Sequence, residues 1–237
     1  LHEVLSISPD IKSITIKNMT TGDEFIDHYD KLVIATGARA VVPPIKGADG
    51  PNVFTLRNIN DMNCIKGYID AIQPRAAAII GTGFIGLEVC ENLKRLGIEV
   101  TMLEKLSQVT PGLDADMAIY VQDHIAKNGV SVLTGVSAFE ITNSSVVLSD
   151  GTEIKADMVL VSTGVRPNTE LAAAVGIDLG ASGAIRVNTK METNLPDIYA
   201  CGDCTQQFHV VTGKPVYRPL GSTANKTGRI AGDSMTG

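Results

Sequence analysis

The chain has 237 residues, 44% of them hydrophobic and 19% charged, with a formal net charge of −6 and 4 cysteines. That composition fits a globular protein of one large domain or two small ones, and the acidic balance without a Lys/Arg cluster argues against a nucleic-acid surface. No apolar run approaches the roughly 20 residues of a membrane helix, no secretory signal pattern opens the chain, and the cysteines do not make a small secreted disulfide framework, so a reducing cytoplasm is expected.

Residues 2–8 and 11–18 read as two strands joined at Ser8-Pro9-Asp10, the second alternating through IKSITIK. A turn at 20–23 leads to a short strand at 24–29. Residues 31–35 are a buried strand that ends in Thr36-Gly37-Ala38-Arg39. Pro43, Pro44, Gly47, Gly50 and Pro51 make 40–52 a crossover linker without regular structure. A helix is expected over 58–72, with Asn60 or Asp61 near its start and Gln73-Pro74 after it.

The segment from Arg75 to Lys105 organises the rest. Ala76 to Ile80 is long enough for one buried strand, and Gly81-Thr82-Gly83-Phe84-Ile85-Gly86 follows as G-x-G-x-x-G. Leu87, Val89, Leu93 and Leu96 recur at helical spacing up to Gly97, and a second apolar run ends on Glu104. Strand, glycine turn, helix, strand and acid form a βαβ dinucleotide unit. Gly81 makes the tight turn, Gly83 admits a pyrophosphate to the backbone, and Gly86 lets helix and strand pack closely. The helix N-terminus offers free N–H groups to phosphates. Glu104 can accept from both adenosine ribose hydroxyls and would repel a 2′-phosphate, which favours NAD over NADP; the adjacent Lys105 works slightly against that preference. The competing reading is a structural glycine turn.

Beyond Thr110-Pro111-Gly112, residues 113–128 read as a helix stopped by Gly129, and 130–134 as a third parallel strand. Residues 139–148 and 152–155 form a hairpin around Ser149-Asp150-Gly151. Residues 158–162 are another buried strand, ending in Thr163-Gly164-Val165-Arg166-Pro167-Asn168. Strands are expected at 184–187 and 198–200, then Cys201-Gly202-Asp203-Cys204, an extended loop or hairpin over 205–217, and a helix over 223–235. Both termini read as cuts in a longer polypeptide, the first inside a hairpin and the second after an unfinished helix.

Other chemistry-bearing residues read as structural. Cys201-x-x-Cys204 has the spacing of a thioredoxin-like dithiol, but it follows a strand instead of opening a helix, and no second CxxC supports zinc. Cys90 reads as a small core residue, Cys64 as a helix residue without a role, and His124 as a structural histidine on an apolar helix face. His209 could approach a substrate face, and Arg166 could serve an ion pair or a cofactor. Asp114, Asp116 and Asp123 read as a solvated face, with no metal site.

In order along the chain, YDKLVIATGA (29–38), GTGFIGLE (81–88), VSTGVRPNTEL (161–171), TNLPDIYACGDC (193–204) and PLGSTANKTGRIAG (219–232) resemble the FAD-dependent pyridine nucleotide-disulfide oxidoreductases. The similarity is to the branch of coenzyme A-disulfide reductases, NADH oxidases, NADH peroxidases and persulfide reductases. It covers nearly the whole chain and implies an α/β fold, with a Rossmann-like NAD(P) domain at 53–180 inserted into a partial FAD domain at 1–52 and 181–237. By that resemblance Thr36 and Gly37 lie near FAD, and Gly202 and Asp203 meet its ribityl chain. Pro219, Leu220 and Gly221 lead a helix toward the flavin pyrimidine ring. Glu88 lies near nicotinamide and flavin, and Gly164 and Val165 line the nicotinamide.

The resemblance also implies a cytoplasmic, homodimeric parent that passes hydride from NADH to FAD and then to a disulfide, persulfide, peroxide or oxygen. The family's first glycine fingerprint, its redox cysteine and its C-terminal dimerisation domain are expected outside these residues. The chain alone should therefore bind NAD, bind FAD poorly and be catalytically inert. Two alternatives stay open: a cysteine-less NADH:rubredoxin or ferredoxin reductase type, and a non-catalytic NAD-binding redox-sensing module.

Overall fold

The structure is a computed structural model that describes residues 1–237. The chain folds as two compact units, one formed by residues 1–39 and 165–237 and the other by 40–164.

In the unit of residues 40–164, β6 (Val53–Phe54), β7 (Ala76–Ile80), β8 (Glu99–Glu104), β9 (Ser131–Thr134) and β13 (Met158–Val161) make one sheet in the order β6-β13-β7-β8-β9. Every neighbouring pair in it is parallel. Crossovers through α2 (Phe84–Arg95) and α3 (Ala115–Lys127) carry the chain outward from β7, and β13 returns to its other side. The chain thus reverses direction across the sheet between β7 and β13, where open α/β sheets bind ligands at their carboxyl ends.

Burial on both faces explains why β7 reads as AAAII with no alternation. Ala77, Ile79, Val100, Met102, Met158 and Leu160 pack with Ile65 of α1 (Ile59–Ile72), Leu93 of α2 and Ile125 of α3. Ala78, Ile80, Leu103, Val159 and Val161 pack instead against Ile141, Val146 and Leu148. Those three come from a meander of β10 (Ala138–Ile141), β11 (Ser145–Leu148) and β12 (Glu153–Lys155). Asn58 is the N-cap of α1, with Asp61 in its first turn. Its side chain accepts from the Asp61 N–H while the Asp61 carboxylate accepts from the Asn58 N–H, a reciprocal capping box.

The unit of residues 1–39 and 165–237 contains the antiparallel sheet β1 (His2–Ser8), β2 (Ser13–Asn18) and β3 (Glu24–His28). It also holds the parallel pair β4 (Leu32–Ile34) and β15 (Ile198–Ala200), and β5 (Ala38–Ala40) with β14 (Val165–Pro167). The short α4 (Glu170–Ala174), the hairpin β16 (Gln207–Phe208) and β17 (Pro215–Val216), and α5 (Gly221–Thr236) complete it.

Several expectations give way. The expected hairpin over 139–148 and 152–155 is a three-stranded meander, because Thr142 turns the chain with Oγ1 accepting from the Ser144 and Ser145 N–H groups. Residues 184–187 make only isolated bridges, Ile185 to Leu179 and to Thr205. The units part at 39/40 and 164/165, earlier than the expected 52/53 and 180/181. The reason is local bonding. Residues 40–52 run beside β10, where the Ile141 N–H donates to the Lys46 carbonyl at 2.8 Å and Lys46 pairs with Glu140 at 2.8 Å. Ala172 and Ile177 are buried with Ile7, Ile34 and Ile185.

Candidate functional site

At the carboxyl ends of β7, β8 and β13, a cleft of about 590 Å³ is lined by Gly81, Thr82, Gly83, Glu104, Lys105 and Leu106, with Pro43, Pro44, Pro111 and Gly164 around it. The glycine turn, the acid and Gly164 therefore meet in one place, although up to 83 positions separate them in the sequence.

The three turn glycines answer to different constraints. Gly81 has φ +103°, and a Cβ there would sit 2.5 Å from the Ser162 carbonyl oxygen. At Gly86 a Cβ would sit 2.5 Å from the Gly81 carbonyl oxygen and 2.7 Å from Ser162 Oγ. The fold itself demands both. Gly83 differs: its φ is −72°, and a Cβ built on it meets nothing within 4 Å. Neither strain nor packing within the chain requires a glycine there. Gly83 is also the N-cap of α2, with no side-chain cap and no acid in the first turn, so the first-turn N–H groups are left to an outside acceptor.

Glu104 is 7% exposed and makes three hydrogen bonds within the chain. Its Oε2 accepts from the Thr82 N–H at 3.1 Å and from Thr82 Oγ1 at 2.7 Å, and its Oε1 accepts from the Leu106 N–H at 2.9 Å. A carboxylate offers about four acceptor positions. One therefore remains, on Oε1, enough for one ribose hydroxyl and not for both. Thr82 Oγ1 in turn accepts from the Thr110 N–H at 3.2 Å. Thr110 gave no sign of this in the sequence, because its role depends on a left-handed backbone that residue type does not announce.

Phe84 and Glu88 are exposed on α2 outside this cleft, and Ile85 packs against the helix-side core. Glu88 lines a groove with Leu87, Glu91 and Lys94 of α2, His124 of α3 and Asn128, the C-cap of α3. His124 is exposed, contrary to the structural-histidine expectation, with Nε2 3.4 Å from Asn128 Nδ2. Asp114, Asp116 and Asp123 are exposed.

In the other unit, β4 and β15 are parallel neighbours, so Thr36-Gly37 and Gly202-Asp203 emerge side by side from their carboxyl ends. Gly37 has φ +67° and Gly202 φ +78°. Asn168 clamps the first turn: its N–H donates to the Gly37 carbonyl at 2.9 Å, its Nδ2 to the Thr36 carbonyl at 3.0 Å, and Thr36 Oγ1 donates to its carbonyl at 2.5 Å. Val165 begins β14. Thr227 of α5 accepts the Gly202 N–H at 3.0 Å. The α5 N-terminus, following Pro219 and Leu220, again carries no side-chain cap and no acid in its first turn. His209 is exposed, with Nδ1 accepting from the Thr212 N–H at 3.2 Å. Arg166 is exposed and forms no ion pair within the chain.

Cys201 and Cys204 are buried, and burial raises the pKa of both thiols. Cys204 Sγ lies 3.2 Å from the Cys201 carbonyl and 3.5 Å from the Ile34 carbonyl. Protonated, buried thiols facing carbonyls are not a reactive dithiol. Burial likewise pushes Cys90 up to about 11.

Residues 1–224 match the pyridine nucleotide-disulphide oxidoreductase family. The chain belongs to that family. It is 40% identical to the NADH oxidase of Methanocaldococcus jannaschii, covering 100% of this chain and 54% of the relative. It is 31% identical to a coenzyme A disulfide reductase of Staphylococcus aureus, over 100% of this chain and 53% of the relative. The chain thus spans about half the length of the curated relatives it matches. The structure of a NAD-dependent persulfide reductase from A. fulgidus superposes with a TM-score of 0.95 at 39% identity, covering 100% of this chain and 44% of the other. An engineered NADPH oxidase bound to NADPH, a mutant of a Lactobacillus brevis NADH oxidase, superposes with a TM-score of 0.90 at 28% identity, over 99% of this chain and 52% of the other. No helix is long and apolar enough to cross a membrane.

Proposed function

We propose that residues 40–164 hold the NADH site of an FAD-dependent oxidoreductase, which passes hydride from NADH to FAD and on to a disulfide- or persulfide-type acceptor. The observation that carries the reading is Gly83, the one glycine of the turn that the fold does not need. Its open space beside an uncapped helix N-terminus fits a dinucleotide pyrophosphate, whose oxygens would take the first-turn N–H groups of α2. Glu104 would accept one adenosine ribose hydroxyl.

NADH supplies a hydride and FAD accepts it when both are bound. The chain's own part is to bind and orient. Gly81, Thr82, Gly83 and Gly86 shape the phosphate turn, and Gly164 walls the same cleft. In the unit of 1–39 and 165–237, Thr36, Gly37, Gly202 and Asp203 fit one edge of a flavin site at the paired ends of β4 and β15. The α5 N-terminus at Gly221, with Pro219 and Leu220 before it, would stabilise negative charge. Glu88 lies outside the glycine-turn cleft, on the groove it shares with His124. The buried cysteines Cys90, Cys201 and Cys204, with raised pKa values, are assigned no part in the acceptor step. The names of the persulfide reductase and coenzyme A disulfide reductase relatives support a sulfur acceptor.

The preference for NADH has further support. The engineered NADPH oxidase changes a glycine, an aspartate, an alanine, a methionine and a proline spaced 18, 1, 1 and 5 residues apart. Gly86, Glu104, Lys105, Leu106 and Pro111 reproduce those intervals, with glycine, acid and proline in the same three places. Lys105 leans the other way, since the engineered enzyme gains an arginine at that interval. Calorimetric titration of the chain with NADH, NADPH and FAD tests the reading. NADH should bind tightest and FAD weakest; absence of any nucleotide binding would refute it.

A further inference from the structure

We infer that Thr82 and Thr110 are positioning residues that fix how Glu104 meets the adenosine ribose, and so set the preference for NADH over NADPH. The inference rests on the dinucleotide reading of the cleft.

The direction of every bond in the Thr110–Thr82–Glu104 chain is forced. A carboxylate only accepts, so the Thr82 hydroxyl must give its single proton to Glu104 Oε2 at 2.7 Å. A backbone N–H only donates, so the Thr110 N–H at 3.2 Å must be received by a lone pair of that same hydroxyl. Thr82 is 0% exposed. A second bond from the Thr82 N–H to the same Oε2, and one from the Leu106 N–H to Oε1, complete a three-point hold on the carboxylate. Rotating the Glu104 side chain would break all three.

The far end of the chain is costly in itself. Thr110 is β-branched with φ +43°, a region such residues rarely enter, and it precedes Pro111. Its own Oγ1 is buried without a hydrogen-bond partner. Local strain of this kind persists where surrounding structure over-determines it, commonly at ligand sites. Here the strained turn, closed by the Leu113 N–H on the Thr110 carbonyl at 2.9 Å, is what aims the Thr110 N–H at Thr82.

The outcome is a carboxylate with one open acceptor position on Oε1 and a charge that cannot swing away from a ligand. A mobile Glu104 could turn aside from a 2′-phosphate. A pinned one cannot, so selectivity depends on the pin as well as on the charge.

The test is equilibrium binding of NADH and of NADPH to the whole chain and to Thr82→Val, Thr82→Ser and Glu104→Gln. Far-UV circular dichroism reports folding, and Thr82→Ala replaces Thr82→Val if the latter fails to fold. Losing the hydroxyl should weaken NADH roughly tenfold and narrow the NADH/NADPH ratio by a comparable factor, as expected for a hydrogen bond to a charged group. Thr82→Ser keeps the hydroxyl and should stay within about twofold of the parent on both counts. If Thr82→Val binds both nucleotides as the parent does, or weakens both equally with the ratio intact, the positioning role is overturned. If Glu104→Gln changes neither affinity nor ratio, the dinucleotide reading of the cleft falls instead.

Discussion

Replacing Gly83 with alanine separates a ligand-imposed glycine from a fold-imposed one. At φ −72°, with nothing within 4 Å of the new Cβ, alanine meets neither strain nor a clash. The residual cost is that of a poorer N-cap, about 1 kcal/mol or less. A stiffer unfolded chain offsets about 0.4–1 kcal/mol of it. For a chain of this size the melting midpoint should then move by no more than roughly 2–4 °C. NADH binding should suffer far more. A methyl group on the pyrophosphate's approach would hold it off the α2 N–H groups, and each charge-assisted bond lost there is worth about 1.5–3 kcal/mol. At roughly tenfold per 1.4 kcal/mol, affinity should fall at least tenfold.

Gly81→Ala is the control. At φ +103°, with its Cβ 2.5 Å from the Ser162 oxygen and 2.8 Å from the Ser162 carbon, it combines backbone strain with overpacking. That should cost about 3 kcal/mol or more. The midpoint should drop by roughly 6–12 °C. Thermal melts followed by circular dichroism, and NADH titrations followed by calorimetry, read both quantities. A Gly83→Ala protein that melts normally and binds NADH within about twofold of the parent would refute the pyrophosphate assignment.

Two further outcomes follow from side-chain environments. In the native chain only Cys64 is exposed. A thiol-reactive dye at mildly alkaline pH should therefore label one cysteine quickly and the other three only after denaturation; rapid labelling of Cys201 or Cys204 would contradict the burial that holds those thiols protonated. Asp197 has its pKa lowered from 3.8, chiefly by the hydrogen bond from Lys12 at 2.6 Å and then by that residue's charge. A depressed carboxylate stabilises the fold above its unfolded pKa and loses that contribution as pH falls through the folded value. Asp197→Asn should therefore flatten the stability–pH curve on the acid side below about pH 4, and an unchanged acid limb would count against the ion pair.

How far the sequence could be read depended on the range of the interactions involved. The βαβ unit was legible because strand, glycine turn and helix are organised by neighbours a few residues away: a buried run at Ala76 to Ile80, helical spacing from Leu87 to Leu96, a chain-reversing glycine at Gly97. Elements stabilised only by distant partners were not. β6 is two residues long, too short for any periodicity, and exists because Val159 and Leu160 pair with it across more than a hundred positions. β5 and β14 are three-residue strands that each need the other. Residues 184–187 have the apolar content of a strand, yet Ile185 finds only single bridge partners and the ladder never forms.

The same division holds at the site. Residue identity and spacing alone determined that Gly81, Gly83, Gly86 and Glu104 belong to one dinucleotide-type turn, because steric tolerance and charge are properties of the residue itself. Tertiary structure decided which of those glycines the protein needs for its own packing. It also decided that Glu104 has one acceptor position to offer instead of two, and that Thr110 holds the chain leading to it. Those facts depend on which backbone atoms stand within hydrogen-bond reach, and that reach is created only when β7, β8 and the loop after β8 come together.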